Sequence, residues 1–125
     1  MSRILIVDDD KDLLQVVQSL LVKKGFEVEA KDNWEEALSL IPSYQPQIIL
    51  LDVFLAGIDG LEICKKVKSD PATRHIPIVI VSGYPSLAET VIYEYGADGF
   101  VTKPFEVNDL IEKIHSVLSK KNALA

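Results

Sequence analysis

The chain has 125 residues, 48% hydrophobic and 26% charged, with a formal charge of −6. That length fits one domain, and a domain of this size buries about two-thirds of its unfolded surface, enough for a core without disulfides or metal staples. The acidic balance argues against nucleic acid and anionic membranes as partners, and apolar runs as short as Ile48–Leu51 fall far below the about 20 residues that span a bilayer.

Short apolar runs alternate with segments of helical period. The first run, Ile4–Val7, follows Met1-Ser2-Arg3 directly, with no signal-peptide pattern before it, and ends at Asp8 and Asp9. The first helix carries Leu13, Leu14, Val17, Leu20 and Leu21 on one stripe and stops near Gly25. A weak second strand covers Val28 to Ala30. The second helix opens at Asn33, with Glu36 three residues on as in a capping box, is headed by Trp34 as a staple, and is expected to end before Pro42.

The most apolar run, Ile48–Leu51, ends at Asp52. Asp59-Gly60 begins a third helix through Leu61, Cys64 and Val67, closed by Asp70-Pro71. Cys64 is the one cysteine; it forms no internal disulfide, fits a reduced, cytosolic compartment, and reads as a small buried hydrophobe. The run Ile78–Val81 ends at Ser82. Pro85 sits in the first turn of a fourth helix, which Gly96 closes. The last strand, Phe100–Thr102, ends at Lys103. The fifth helix aligns Val107, Leu110, Ile111, Ile114, Val117 and Leu118, with Lys120 and Lys121 near its end, favourable to the helix dipole. His75, in a turn before Pro77, and His115, on the polar side of the fifth helix, are poor candidates for chemistry.

Strict alternation of five strands and five helices implies an α/β fold, a parallel sheet with helices on both faces. Residues 1–125 read as a single domain with its core at 3–121 and a tail or truncated linker at 122–125. In such sheets ligands bind at the carboxyl ends of the strands, where Asp8, Asp9, Asp52, Ser82 and Lys103 all fall. Clustered carboxylates repel unless a cation intervenes. An oxygen-only donor set suits Mg²⁺, and zinc is disfavoured because no His or Cys stands near these strand ends. Lys103 offers a point charge and Ser82 a hydroxyl to phosphoryl oxygens. A metal-bound carboxylate can attack phosphorus to give an aspartyl phosphate, and Asp52, on the central strand, is the nucleophile candidate. Taken singly, each of these residues also fits a loop, cap or solvated role; their convergence favours function.

The ordered set Ile4-Leu5-Ile6-Val7-Asp8-Asp9-Asp10, Asp52 with Asp59-Gly60, Ser82-Gly83 and Ala97-Asp98-Gly99-Phe100-Val101-Thr102-Lys103-Pro104-Phe105 resembles the receiver domain of two-component response regulators, over residues 3 to 121. The resemblance implies a doubly wound (βα)5 three-layer sandwich of flavodoxin-like type with strand order 2-1-3-4-5, an arrangement for which receivers serve as a standard example. It implies that Asp52 accepts a phosphoryl group from a histidine kinase or phosphotransfer protein in a cytoplasmic phosphorelay. Asp9 would ligate Mg²⁺ (or Mn²⁺) directly, Asp8 mainly through water, and the main-chain carbonyl of Phe54 would complete the protein ligands. Ser82 is similar to the switch hydroxyl, Lys103 to the phosphate-pairing lysine, and Phe100 to the aromatic that repacks. The Lys103-Pro104 bond would be cis. Switching would alter the surface of helix 4, strand 5 and helix 5, with Tyr95 either there or in the core, for a downstream protein or a homodimer.

Departures are informative. Leu55-Ala56 replaces the Met-Pro found in most receivers, which leaves that loop less fixed. Phe54 and Tyr84, two residues after Asp52 and Ser82, are bulky and should slow hydrolysis of an aspartyl phosphate. Asp98 adds a charge that could affect the output face. Two alternatives remain: a degenerate receiver acting only as a protein-interaction module, and a haloacid-dehalogenase-like phosphatase, disfavoured by Asp12 where those enzymes carry Thr or Val and by the lack of room for a cap domain. A flavodoxin-like cofactor binder is disfavoured because Asp8-Asp9-Asp10 would repel a phosphate.

Overall fold

The computed structural model describes residues 2–55 and 57–124, with the side chains of 122–124 excepted. The expectations for Ala56 and for the side chains and end of the 122–125 tail lie outside the described residues. The elements in chain order are β1 (Arg3–Val7), α1 (Lys11–Lys23), β2 (Glu27–Lys31), α2 (Trp34–Tyr44), β3 (Ile48–Asp52), α3 (Gly60–Ser69), β4 (Ile78–Ser82), α4 (Ala88–Tyr93), β5 (Gly99–Thr102) and α5 (Val107–Leu124). A 3-10 turn, Pro85–Leu87, precedes α4.

The five strands form one parallel sheet in the order β2-β1-β3-β4-β5. Side chains alternate across it. Ile4, Ile6, Ile48, Leu50, Val79 and Val81 pack against α1 and α5. Leu5, Val7, Ile49, Leu51, Ile78 and Ile80 pack against α2, α3 and α4. Both faces of β3 and β4 are covered, so every residue of these strands is buried, which is why they read as continuous apolar runs rather than alternating ones. Among the described residues no helix is long and apolar enough to cross a membrane.

The helix ends follow their local chemistry. Asp10 caps α1 through its carboxylate, which accepts from the Leu13 N–H at 3.1 Å. At the other end Gly25 takes φ +97°, and the Gly25 and Phe26 N–H groups bond the carbonyls of Val22 and Leu21, the Schellman arrangement that favours glycine. Asn33 caps α2 as expected, accepting from Glu36 N–H at 2.9 Å, while its own amide donates to the Glu36 carboxylate at 2.8 Å.

The expected end of that helix before Pro42 is corrected: α2 runs through Pro42 to Tyr44. Pro42 lies in the last turn, where only one helical hydrogen bond is lost, and the turn is held from outside. The Tyr44 hydroxyl donates to the carbonyls of Ile4 and Glu27, both at 3.0 Å, and Arg3 Nε donates to the carbonyls of Tyr44 and Gln45. Burial, with the nearby Glu27 and Glu29 charges, pushes the Tyr44 phenol up to about 12. The expected fourth helix from Pro85 toward Gly96 is also shorter and irregular at its start: it begins as the 3-10 turn and its α part ends at Tyr93.

Packing bears on three smaller expectations. Trp34 is half-buried against the core, Cys64 is fully buried with its thiol donating to the Tyr95 carbonyl at 3.4 Å, and Tyr95 is partly buried against the same cluster. Burial pushes the Cys64 thiol up to about 12. His115 is exposed on α5 and its ring meets that of Phe26 at 5.6 Å.

The Asp98 carboxylate is engaged by α3 and the start of β4. At the amino end of β5, it accepts from the Ile78 N–H at 2.9 Å and from Lys68 Nζ at 3.0 Å. Lys68 also donates to the Ile76 carbonyl at 3.1 Å. The carboxylate therefore ties α3 and the start of β4 to β5. Asp98→Ala leaves the Ile78 N–H without its acceptor and Lys68 with the Ile76 carbonyl alone, and is expected to destabilise the fold by about 2 kcal/mol in urea unfolding. A loss below measurement error would contradict that role.

Candidate functional site

Strand register assembles the site. Val7 is aligned with Leu51, and Asp52 with Val81, so Asp8 and Asp52 leave adjacent strands at the same level. Ser82 is aligned with Thr102, and Lys103 follows at once, its N–H bonded to the Ser82 carbonyl at 2.8 Å. Ligand oxygens of Asp8, Asp9 and Asp52 all lie within 4.8 Å of one another. Asp8 and Asp52 are buried, at 3% and 8% exposure, and Asp9 is exposed.

Lys103 reaches into this cluster. Its ammonium stands 2.6 Å from Asp8 Oδ2 and 3.5 Å from Asp52 Oδ1. Burial alone would push the Lys103 ammonium down, but the hydrogen bond and charge of Asp8, together with the Asp52 carboxylate, outweigh it and hold the group above its usual range. For Asp52 the balance goes the other way: burial, then the negative charge of Asp8, raises its carboxyl above the ordinary 3.8 despite Lys103.

The donor set fits a hard divalent cation: oxygen-only, anionic and converging. Asp8 itself is engaged within the protein, its Oδ1 accepting from the Asp10 N–H at 2.9 Å and its Oδ2 from Lys103.

The remaining expected residues lie at the end of β4, in β5 and just after it. Ser82 is 1% exposed, and its hydroxyl accepts from the Tyr84 N–H at 3.1 Å. The hydroxyl therefore turns back on its own loop and caps no helix. The Lys103-Pro104 bond is cis. Phe100 is partly buried against the core cluster.

After Asp52 the chain forms a feature the sequence does not announce, a hairpin of Phe54–Leu55 with Ile58–Asp59. Leu55 is buried and anchors it, while Phe54 is 59% exposed. The Phe54 ring meets that of Tyr84, itself 56% exposed, edge-on at 5.7 Å. The two rings thus bridge the loops that follow β3 and β4. Behind the hairpin, Asp59 caps α3 by accepting from the Leu61 N–H at 2.9 Å, and the Gly60 N–H bonds the Val53 carbonyl at 2.6 Å.

A family model described as "Response regulator receiver domain" matches residues 4–115. The chain belongs to the response regulator receiver domain family. Receiver sequences similar to it include the response regulator PleD of Caulobacter vibrioides, 35% identical over 117 residues, 93% of this chain and 26% of that protein. The heme response regulator HssR of Staphylococcus epidermidis is 35% identical over 121 residues, 96% of this chain and 53% of that protein. The chain thus spans about a quarter to a half of these curated relatives. Among solved structures, a CheY-like receiver domain protein of Methanospirillum hungatei aligns with TM-score 0.89 and 31% identity, covering 100% of this chain and 99% of that one. A response regulator of Chloroflexus aurantiacus aligns with TM-score 0.86 and 34% identity, covering 94% and 98%. Receivers are signalling domains that interact with histidine kinases and phosphotransfer proteins and bind Mg²⁺ at an acidic cluster of this kind.

Proposed function

We propose that this receiver is a competent phosphoacceptor in a cytoplasmic two-component relay, working as one unit over residues 1–125, with Asp52 the residue phosphorylated. The observation that carries the reading is the convergence of Asp8, Asp9, Asp52 and Lys103 at one sheet edge, with three carboxylates within 4.8 Å and the ammonium 3.5 Å from Asp52. An Asp52 oxygen attacks phosphorus, and the bond to the donor's imidazole nitrogen, or to the acyl oxygen of a small phosphodonor, breaks with its electron pair leaving on the donor. Asp9, Asp52, the Phe54 main-chain carbonyl and, through water, Asp8 would hold Mg²⁺, whose charge would offset that of the phosphoryl oxygens. Lys103 and the Ser82 hydroxyl meet the other oxygens.

Switching follows from the same contacts. The Ser82 hydroxyl leaves the Tyr84 N–H to donate to the phosphoryl group, Phe100 repacks into the space released, and the face of α4, β5 and α5 changes for a downstream protein or a second copy. Incubation with acetyl phosphate and Mg²⁺, followed by intact mass, tests the core of the reading. One added phosphoryl group, stable to acid and labile to base, is expected. No adduct, with no Mg²⁺ binding, would leave a degenerate interaction module, and turnover of phosphate esters would indicate a phosphatase.

The aromatic pair sets the lifetime of that state. Hydrolysis needs a water in line with the Asp52 oxygen, and the Phe54 and Tyr84 rings stand in contact beside the strand ends that carry the acceptor and the switch hydroxyl. Phe54→Asn is expected to accelerate loss of the phosphoryl group about tenfold, one step of about 1.4 kcal/mol in barrier. A variant whose dephosphorylation is no faster than the parent's refutes the idea.

A further inference from the structure

At the amino ends of the strands, the edge opposite Asp52, the charge of the molecule is reversed. A cavity of about 470 Å³ there carries Arg3, His75 and Lys121 on its walls. A second concavity of about 330 Å³ shares His75, Pro77 and Lys121 with it and adds Lys68, Arg74 and Lys120. The one carboxylate on these walls, Asp98, is already bonded to Lys68 and to the Ile78 N–H. Among the described residues no carboxylate pairs with Arg3, Arg74, Lys120 or Lys121. Four cations thus line two adjoining depressions that share His75, Pro77 and Lys121, in a chain whose net charge is −6.

Some of the site is rigid. Arg3 Nε is fixed by the carbonyls of Tyr44 and Gln45, at 3.1 and 3.0 Å, which leaves its terminal NH₂ groups outside those bonds. The larger cavity is also apolar in part, walled by Ile41, Pro46, Pro77 and Leu118, of which Ile41, Pro46 and Pro77 are buried. Its volume lies in the range of small-molecule sites, which combine apolar walls with a few convergent polar groups.

We propose that these two adjoining basic depressions together bind a small phosphorylated ligand with a planar apolar part, of the nucleoside di- or triphosphate class, the apolar part in the larger one. Four cations exceed what a monoanion can offset, so the ligand carries several charges. Arg and Lys together meet phosphate oxygens, the one as a planar fork and the other as a mobile point charge. Proline rings and aliphatic side chains offer the flat, apolar surface that a base requires. The site is separate from the acidic edge and independent of phosphorylation at Asp52.

The test uses the whole chain, isotopically labelled for NMR, with EDTA present so that the acidic edge holds no metal. ADP, pyrophosphate and adenosine are titrated separately. ADP should give saturable shifts of the Arg3, His75 and Lys121 amides, with an affinity about tenfold or more above either fragment. Lys120→Glu/Lys121→Glu, on the exposed end of α5, should weaken ADP about tenfold while phosphoryl uptake from acetyl phosphate stays at the parent level. Arg74→Gln provides a milder variant that should weaken ADP in the same direction. The proposal is overturned by the absence of saturable shifts, by pyrophosphate binding as tightly as ADP, or by charge variants that bind ADP as the parent does.

Discussion

Asp52→Asn should abolish phosphoryl uptake from acetyl phosphate and, in the absence of metal, make the fold more stable. The first effect follows because an amide oxygen is too poor a nucleophile to replace the carboxylate. The second follows from electrostatics. Asp52 is buried beside Asp8, and both effects raise its carboxyl above the ordinary 3.8. A carboxyl that holds its proton more tightly in the folded state contributes stability that is present in full below 3.8 and is lost as pH rises through the raised folded value. At neutral pH the ionised group therefore works against the fold, even with Lys103 at 3.5 Å. Replacing it with a neutral isostere should return about 1 kcal/mol, or about 3 °C in a thermal melt.

Two conditions should close that gap. Below pH 3.8 the parent is protonated at Asp52 and loses its disadvantage. In millimolar Mg²⁺ the parent gains stability by mass action, which the variant, short of one carboxylate, gains less of. Melts at pH 7 with EDTA, at low pH with EDTA, and at pH 7 with Mg²⁺ separate these cases. A variant less stable than the parent in EDTA contradicts the electrostatic account, and a variant that still takes up one phosphoryl group removes Asp52 as the acceptor. The two readouts are independent, so a misfolded variant is not mistaken for an unreactive one.

The strands that carry Asp8, Asp52, Ser82 and Lys103 were legible because each is an apolar run ending in a polar residue, and burial on both faces leaves no competing pattern. The edge strand β2 read as weak for a physical reason: only one residue of Glu27–Lys31, Val28, is fully buried, and charged residues protect an edge. Pro42 misled because local chemistry argues for a stop, whereas the bonds that hold the last turn of α2 come from Arg3 and from the Tyr44 hydroxyl, distant in sequence. The Phe54 hairpin is two residues a side, too short for a period to show. Asp98 was visible as an unusual charge, but which way its carboxylate turned depended on Lys68 and the start of β4. The two basic depressions are the extreme case, since their cations come from β1, the segment before β4, and α5, and no local window contains them.

Gly60→Ala should damage both stability and phosphoryl uptake more than any other single-carbon addition near the site. Gly60 is buried at the start of α3, and its N–H bonds the Val53 carbonyl at 2.6 Å. A Cβ placed there would lie deep inside contact distance of the Asp52 carbonyl oxygen and 2.9 Å from both Val53 Cα and the Val53 carbonyl oxygen. All three are main-chain atoms, so no flexible side chain can yield. Either α3 moves out or the peptide carrying Asp52 shifts. Overpacking of this kind costs about 3 kcal/mol, and a displaced acceptor oxygen loses alignment with phosphorus, which should lower the rate of uptake at least about tenfold. Gly83→Ala is the control: it lies next to Ser82, its Cβ meets nothing within 4 Å, and its φ is outside the left-handed region. That substitution should leave stability unchanged or raise it by up to about 1 kcal/mol through the unfolded chain. Urea unfolding of both variants, with uptake rates measured where each is fully folded, separates lost stability from lost alignment. Parent-like uptake in folded Gly60→Ala would mean that α3, not the acceptor strand, gives way.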